Sequence, residues 1–453
     1  MATVTAPSIA STLTGVLGDG AVSADPEVNR SFEVDWTGRF QGRSACVVRP
    51  RTNDEVAALV RWAVEQQCPL VPQGGNTGLV GGGVPDASGS SVLVSMGRMS
   101  GVRDIDIVAG QATVEAGVTL GALDRALAGE AWEFGVDLGA RDSATLGGMA
   151  ATNAGGLRVL RYGSMRANVL GVEAVLGTGQ VVSHLQGLVK DNTGYDLAGL
   201  LCGSEGTLGI ITALRLRLVP RWSDRLAVWL ACDDWSHAVD VATAARLSID
   251  GLDGLEAVDS AALRHVQEQL GLPPLFATTP PVALLVAWAG RGEPPDALGA
   301  LVGDHAHVAG ADAAQWRSLW AYRERVTEAV ARVGVPRKFD VTLPLRDLAE
   351  FTRRIALEPA AHRAVVFGHL GDGNLHVNLP GQGEQSTGDD VDGRILELVA
   401  DCGGSISAEH GIGRHKAPWL HLNRSPQELA AFRSLKAALD PAGIMNPGVI
   451  LPT

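Results

Sequence analysis

The chain has 453 residues, 46% of them apolar, which is too long for one ordinary core and predicts two or three packed units. Its formal charge of −13 argues against nucleic-acid binding through phosphate contacts, while leaving room for a local cationic pocket around a small anion. The 56 glycines follow no collagen-like period, so they are sought where backbone must approach a ligand.

The opening run MATVTAPSIASTLTGVLG has no basic n-region and no cleavable apolar core. No stretch of about 20 apolar residues follows, so a soluble, cytoplasmic protein without a transmembrane segment is expected. Thr52 and Glu55 have capping-box spacing at the start of a helix from Asn53 to Gln67, with Val56, Leu59, Val60 and Ala63 as its apolar stripe. Strands are expected at Pro69–Val71, Ser91–Ser95, Gln111–Ala116 and Gly171–Leu176, the last turning at Gly177-Thr178-Gly179 and returning through Gln180–Ser183. In Ile211–Leu218, leucines alternate with Arg215 and Arg217, the pattern of a half-buried strand. Glycine density falls after Pro220 to Asp224, and Trp229, Trp235 and Trp288 appear, so an α+β second domain is expected there. Ser425-Pro426-Gln427-Glu428 opens a capped helix that ends near Asp440-Pro441. The five cysteines, Cys46, Cys68, Cys202, Cys232 and Cys402, are widely spaced and form no CxxC, which predicts reduced thiols.

Three glycine-dense segments stand out. The loop PQGGNTGLVGGG, Pro72 to Gly83, follows a helix and a strand and can aim successive backbone N–H groups at a pyrophosphate. Alone it reads equally well as a flexible turn. Asp137 to Gly163 and Lys190 to Thr212 repeat the theme, and together the three suit a large ligand contacted along its length. Neither G-x-G-x-x-G spacing with an acidic ribose partner nor a Walker A sequence is present, which argues against NAD and ATP.

Histidines cluster later. GHLGDGNLHVN, Gly368 to Asn378, reads as a hairpin turning at Asp372-Gly373, which would put His369 directly opposite His376, with Asn378 on the same face. Two imidazoles so placed could share a metal, or could simply be a structural pair. Glu409-His410 in SISAEHGIGRHK adds a candidate third ligand, and a set of two histidines and one carboxylate points first to Zn2+, with Mn2+ and Fe2+ as alternatives. An unliganded His410 would be the general base, its ordinary pKa near 6.5 suiting proton removal at neutral pH.

A helix is expected from about Ala313 to Arg332, with Trp316, Trp320, Arg323, Thr327 and Val330 on one face. An arginine on such a stripe either covers apolar surface or clamps a carboxylate. In KFDVTLP, Phe339, Val341 and Leu343 should face the core, leaving Lys338, Asp340 and Thr342 opposite; by pattern alone Lys338 is a solvated lysine.

The three glycine segments, GHLGDGNLHVN, SAEHGIG and LDPAGIMNP together resemble the flavoenzymes of the vanillyl-alcohol-oxidase type, in the D-lactate, glycolate and D-2-hydroxyglutarate dehydrogenase branch. The resemblance runs from about Val34 to Pro452. It implies an α+β protein: a two-subdomain FAD-binding domain (1–222), an α+β cap or substrate domain (223–400) and a C-terminal segment (401–453) returning to the flavin. It implies noncovalent FAD. The first loop would hold the pyrophosphate through Gly74, Gly75, Asn76, Thr77 and Gly78, flanked by Pro72, Gly81 and Gly82. Leu138, Gly139, Ser143, Gly147, Gly148, Thr152 and Asn153 would line flavin and adenosine, as would Gly155, Gly156, Tyr162 and Gly163. Glu205, Gly206, Gly209, Ile210 and Asn446 complete the expected contacts. Gly83 departs from the Ser common in relatives. The resemblance further implies a metal on His369, His376 and Glu409, and His410 as base. It places Arg323, Thr327, Lys338, Asn378 and His410 at the substrate. The implied reaction is metal-assisted oxidation of a small D-2-hydroxy acid with hydride transfer to flavin N5. Two cationic anchors favour a dicarboxylate, D-2-hydroxyglutarate, over D-lactate, glycolate or D-mandelate. An alkyl-transferring flavoenzyme and a non-catalytic flavin subunit are the remoter readings. The electron acceptor (quinone, electron-transfer flavoprotein or cytochrome) and the oligomeric state, a homodimer included, stay open.

Overall fold

The computed structural model describes residues 6–18, 20–381 and 390–452, so the first five residues of the opening run lie outside the described residues. The chain forms two compact units. The first comprises Met1–Gly155, Gly163–Arg221 and His410–Thr453; the second comprises Gly156–Tyr162 and Trp222–Glu409.

The first unit holds two sheets. Strands β1 (Val22–Ser23), β2 (Cys46–Val48), β3 (Leu70–Gln73) and β4 (Val92–Ser95) run in the order β1-β2-β4-β3, with β2, β4 and β3 parallel. Parallel neighbours need crossovers. One is the helix Asn53–Gln66, capped by the Thr52 side chain and closed by Gln67 in the left-handed region. The second sheet is antiparallel and consists of β5 (Val102–Asp106), β6 (Gln111–Glu115), β7 (Trp132–Phe134), β8 (Val169–Leu176), β9 (Val181–His184) and β10 (Gly209–Pro220). Strand β10 is longer than its alternating pattern implies and is buried along almost its whole length. Arg215 is therefore not on a solvated face. It is buried and bonds Gln111, Thr113 and Asp104. The C-terminal segment joins β3: Leu70 N–H donates to Ile444 O, and Asn446 N–H to Leu70 O.

The second unit is built on one antiparallel sheet. Its strands are β11 (Asp224–Cys232), β12 (Leu252–Asp259), β13 (Val282–Gly290), β14 (His307–Gly310), β15 (Arg337–Thr342), β16 (Val365–His369) and β17 (Asn374–Leu379). Their order is β14-β11-β13-β12-β16-β17-β15. One face carries Trp229, Val258, Ala287 and Phe367 into a core with the helices Ser260–Leu270, Ala313–Glu324 and Val326–Arg332. The last two replace the single helix expected from Ala313 to Arg332. The chain breaks at Arg325, just before the β-branched pair Val326-Thr327, so Trp316, Trp320 and Arg323 sit on one piece and Thr327 and Val330 on the next.

This unit extends past residue 400 because Ser405 pairs with Thr342 and the N–H groups of Ala408 and Glu409 bond Asp340. It also takes in Gly156–Tyr162, whose Arg158 and Arg161 face buried Asp253 at 3.7 and 3.2 Å. The described cysteines are all buried and unpaired. Among the described residues no helix is long and apolar enough to cross a membrane.

Candidate active site

In the second unit, antiparallel pairing puts polar residues from four adjacent strands on one face. Glu256 of β12 lies opposite His369 of β16. His369 lies opposite Asn374 of β17, and Phe367 opposite His376. Asp340 and Lys338 of β15 lie opposite His376 and Asn378. The expected direct facing of His369 and His376 is thus corrected. The hairpin closes through four residues, Leu370–Gly373, rather than turning on Asp372-Gly373 alone. Gly373 takes φ +82°, and a Cβ there would sit 2.2 Å from Leu343 O, so its neighbours fix the loop. The register moves by two, an even number, and the two histidines stay on one face as diagonal neighbours. Their ring centroids are 5.4 Å apart.

His369, His376 and Glu409 each offer a ligand atom, and these atoms lie within 4.8 Å of one another. His369 Nε2 is 3.5 Å from Glu409 Oε1. Its Nδ1 is 2.8 Å from Glu256 Oε1. Burial pushes the Glu409 carboxyl up to about 7, aided by Asp340 and Asp372 and opposed by His369. Burial alone would lower His369, but Glu256 and Glu409 outweigh it and raise the imidazole to about 9. Protons are thus held where a divalent cation would displace them.

Arg323 is buried above the same face. Its Nε donates to Glu256 Oε2 at 2.7 Å, Nη2 is 3.5 Å from His369 Nε2, and the guanidinium stacks 4.9 Å from the Phe367 ring centroid. It is neither a solvated nor a snorkelling arginine. Asn378 is buried two residues beyond His376, and half-buried Lys338 is its cross-strand partner. Thr327 is half-buried on the helix after Arg323. Two acids prove central: Glu256, which the sequence pattern passed over, and Asp340, which it placed opposite the core face and which is buried. Glu256 holds both His369 and Arg323. Asp340 bonds Asn374 Nδ2 through Oδ1 and the N–H groups of Ala408 and Glu409 through Oδ2. An acid inside an apolar strand run, as in GLEAV, was the available signal.

The glycine segments meet within the first unit. A Cβ on Gly74 would lie 2.3 Å from Thr145 Oγ1, one on Gly75 1.7 Å from Ser143 O, and one on Gly147 2.5 Å from the Ala116 methyl. These glycines let the first loop pack against Ser143–Gly148. Gly78 and Gly139, by contrast, have no protein atom within 4 Å of a built Cβ. Asn76 adopts φ 54° and bonds Val34 O, while Thr77 O accepts from Trp36 Nε1. Gly206, at φ +71°, lies against the Pro72 ring. Gly81 and Gly82 belong to the same loop, and Asn446 Nδ2 bonds Gly82 O and Glu205 O, leaving its Oδ1 buried without a partner.

Several expected cofactor residues have structural work visible as well. Thr152 bonds Gly148 O within its helix, and Asn153 caps that helix at φ 52° and accepts through Oδ1 from the Ser164 hydroxyl and the Arg166 N–H. Gly209 packs against Val175 O, and the Ile210 side chain lies in the hydrophobic core. Glu205 accepts from the N–H groups of Ile412 and Gly413, and burial raises its carboxyl to about 7. Leu138 is half-buried and Ser143 exposed; Gly155 precedes the change of unit, and Gly163 has φ +75°. Gly156 and Tyr162 belong to the second unit, where Trp222 Nε1 donates to the Tyr162 hydroxyl. His410 follows Glu409 directly, where the chain returns to the first unit.

Residues 44–184 match the FAD binding domain, and residues 223–450 match the C-terminal domain of FAD linked oxidases. The chain belongs to the FAD-linked oxidase family. D-2-hydroxyglutarate dehydrogenase of Bos taurus is 40% identical over 446 residues, covering 96% of this chain and 82% of that protein. The D-2-hydroxyglutarate–pyruvate transhydrogenase of Saccharomyces cerevisiae is 34% identical over 448 residues, covering 94% and 90%. Among solved structures, p-cresol methylhydroxylase superposes with a TM-score of 0.75 at 14% identity, covering 98% of this chain and 96% of that one. This is the vanillyl-alcohol-oxidase-type fold expected from the motifs. The cytoplasmic expectation is overturned: the bovine protein and other matched relatives are mitochondrial by name. The lack of a secretory n-region and of a long apolar run bears on secretion and membrane crossing, and neither reads out a compartment.

Proposed function

We propose that this FAD-dependent oxidoreductase oxidises a D-2-hydroxy acid, with D-2-hydroxyglutarate to 2-oxoglutarate as its first-choice reaction. The observation that carries this is the convergence of His369, His376 and Glu409 beside buried Arg323. The similarity to the bovine enzyme supports the choice of acid.

FAD fits the glycine unit, where a side-chain carbon on Gly78 or Gly139 would meet open space and Asn446 Oδ1 lacks a partner. When bound, it supplies the acceptor for two electrons and the C2 hydrogen. A divalent cation, Zn2+ first, suits the His369–His376–Glu409 donor set, and when bound it supplies Lewis acidity toward the substrate oxygens. Arg323 has Nε committed to Glu256, so its Nη1/Nη2 edge is the one suited to a bidentate grip on a carboxylate. Lys338 supplies a second positive charge on the same sheet face, and Asn378 and Thr327 add hydrogen-bonding groups. His410 takes the C2 hydroxyl proton, and loss of the C2 hydrogen with its electron pair completes a 2-oxo acid.

Purified protein should be yellow, and D-2-hydroxyglutarate should bleach it anaerobically, faster than D-lactate, glycolate or D-mandelate. Absence of bleaching by every D-2-hydroxy acid would sink the function. Chelation should stop turnover while FAD stays bound; activity that survives metal removal would refute the metal's part. His410→Ala should lower kcat by about 10^2 to 10^4, the usual contribution of a general base, without releasing flavin.

A further inference from the structure

Glu256 is 1% exposed, and its two oxygens serve two different partners. Oε1 is 2.8 Å from His369 Nδ1, and Oε2 accepts from Arg323 Nε at 2.7 Å. The sheet register enforces the first contact, since Glu256 and His369 are direct cross-strand neighbours. We infer that Glu256 is a positioning residue that couples the cation site to the substrate-carboxylate anchor, holding His369 and Arg323 in one geometry. This rests on the function proposed above.

The argument is one of donors and acceptors. An ionised carboxylate can only accept, so His369 must present Nδ1 as N–H. Its Nε2 lone pair then becomes the coordinating atom, and Nε2 is the atom that faces Glu409 Oε1 at 3.5 Å. On the other side, Glu256 engages the guanidinium through Nε, which orients the planar fork and leaves Nη1/Nη2 as its gripping edge. A carboxylate that only neutralised Arg323 would have no reason to place its second oxygen on a histidine. Any displacement of Glu256 moves ligand and anchor together.

Glu256→Gln separates these roles. An amide has one accepting oxygen, and its NH2 can only donate. With that oxygen on Arg323, the NH2 would face His369 Nδ1. The ring would then accept there and carry its proton on Nε2, the wrong tautomer for a ligand.

The test uses flavin-loaded protein and Zn2+ in competition with a chromogenic chelator. Glu256→Gln should bind Zn2+ roughly 10- to 100-fold more weakly, the usual cost of losing a partner behind a ligating histidine, and should raise KM for the hydroxy acid with FAD retained. Unchanged Zn2+ affinity and KM would overturn the inference. Nitrogen-15 histidine NMR of metal-free protein, taken above the His369 pKa of about 9 so that the ring is neutral, should show the wild-type ring protonated at Nδ1, and in Glu256→Gln bare at that atom. An unprotonated Nδ1 in the wild type overturns the inference without any variant having to fold. Wild-type protein that shows the protonated Nδ1 yet takes up no Zn2+ would refute the metal reading while upholding Glu256's hold on the ring.

Discussion

The two units do their work with different parts of the chain. Among the described residues, every non-glycine residue at positive φ, from Gln67 and Asn76 through Asn153, Glu205 and Asn446 to Ile450, belongs to the first unit. There the left-handed residues close helices and turn loops, as Gln67 and Asn153 do at helix C-termini and Asn446 does where its N–H joins Leu70 O. The second unit has no such residue among those described, and most of its polar cluster stands on regular strands and helices, Glu409 being held on an irregular segment by the bond of its N–H to Asp340. Its chemistry comes from side chains that the pleat sends to one face. In the first unit an added methyl group probes how the glycine loops pack; in the second a lost functional group probes the polar cluster.

The sharpest test of that contrast pairs two alanine substitutions. His376→Ala removes one of three candidate ligands and leaves the sheet intact. Turnover should fall by about 10^3 or more, the several kcal/mol a Lewis acid supplies, while the flavin spectrum is unchanged. Gly75→Ala adds one carbon that would sit 1.7 Å from Ser143 O, a backbone atom, so the loop must move. Flavin should be lost together with thermal stability. A yellow, stable Gly75→Ala protein would break the comparison from one side, and loss of flavin from His376→Ala would break it from the other.

Lys338→Ala probes the choice of acid. If Lys338 meets the second carboxylate of a dicarboxylate, KM for D-2-hydroxyglutarate should rise about 10- to 100-fold, in the range of losing one partner of a charge pair, while KM for D-lactate stays nearly constant. Equal effects on both acids would remove Lys338 as the discriminating anchor.

How far the sequence carries such arguments depends on sequence separation. The Asn53 helix, its Thr52 cap and most strands of the first unit follow local rules and lie within a few residues of their expected places. The face of the His369/His376 hairpin was readable from period-two alternation, but its register was not, because Gly371 against Leu160 and Gly373 under Leu343 O set the loop. Glu256 is the clearest gap. Its partners lie 67 and 113 residues away, so an acid in the apolar run GLEAV can be noticed locally but what it holds cannot be read there. Arg215 failed in the same way, with Asp104 and Asp106 arriving from a distant strand.

A smaller effect concerns pH. Each unit buries a carboxylate that accepts two backbone N–H groups: Glu205 from Ile412 and Gly413, and Asp259 from Ala262 and Val366. Burial raises them to about 7 and about 6. A folded pKa above the unfolded one favours the protonated folded state, so this stabilisation is complete below about pH 4 and fades as pH climbs through those values. Glu205→Gln cannot ionise. The difference in melting temperature between wild type and Glu205→Gln should therefore shift in favour of the variant between about pH 4.5 and pH 7, then level off. A difference independent of pH would mean that folding does not raise the Glu205 pKa.

The mildest substitution separates ligand contact from folding inside the first unit. Gly78 has an ordinary negative φ and no protein atom within 4 Å of a built Cβ, unlike its neighbours Gly74 and Gly75. Neither backbone strain nor packing demands glycine there. Gly78→Ala should change the stability of the flavin-free protein by no more than about 0.5 kcal/mol, as at an ordinary exposed site. If the loop approaches the pyrophosphate at this residue, the added methyl group should still weaken FAD binding several-fold, measured by flavin release against dilution. Unchanged FAD affinity would move the contact to the tighter glycines upstream, whose substitution cannot distinguish a ligand from a neighbouring strand of protein.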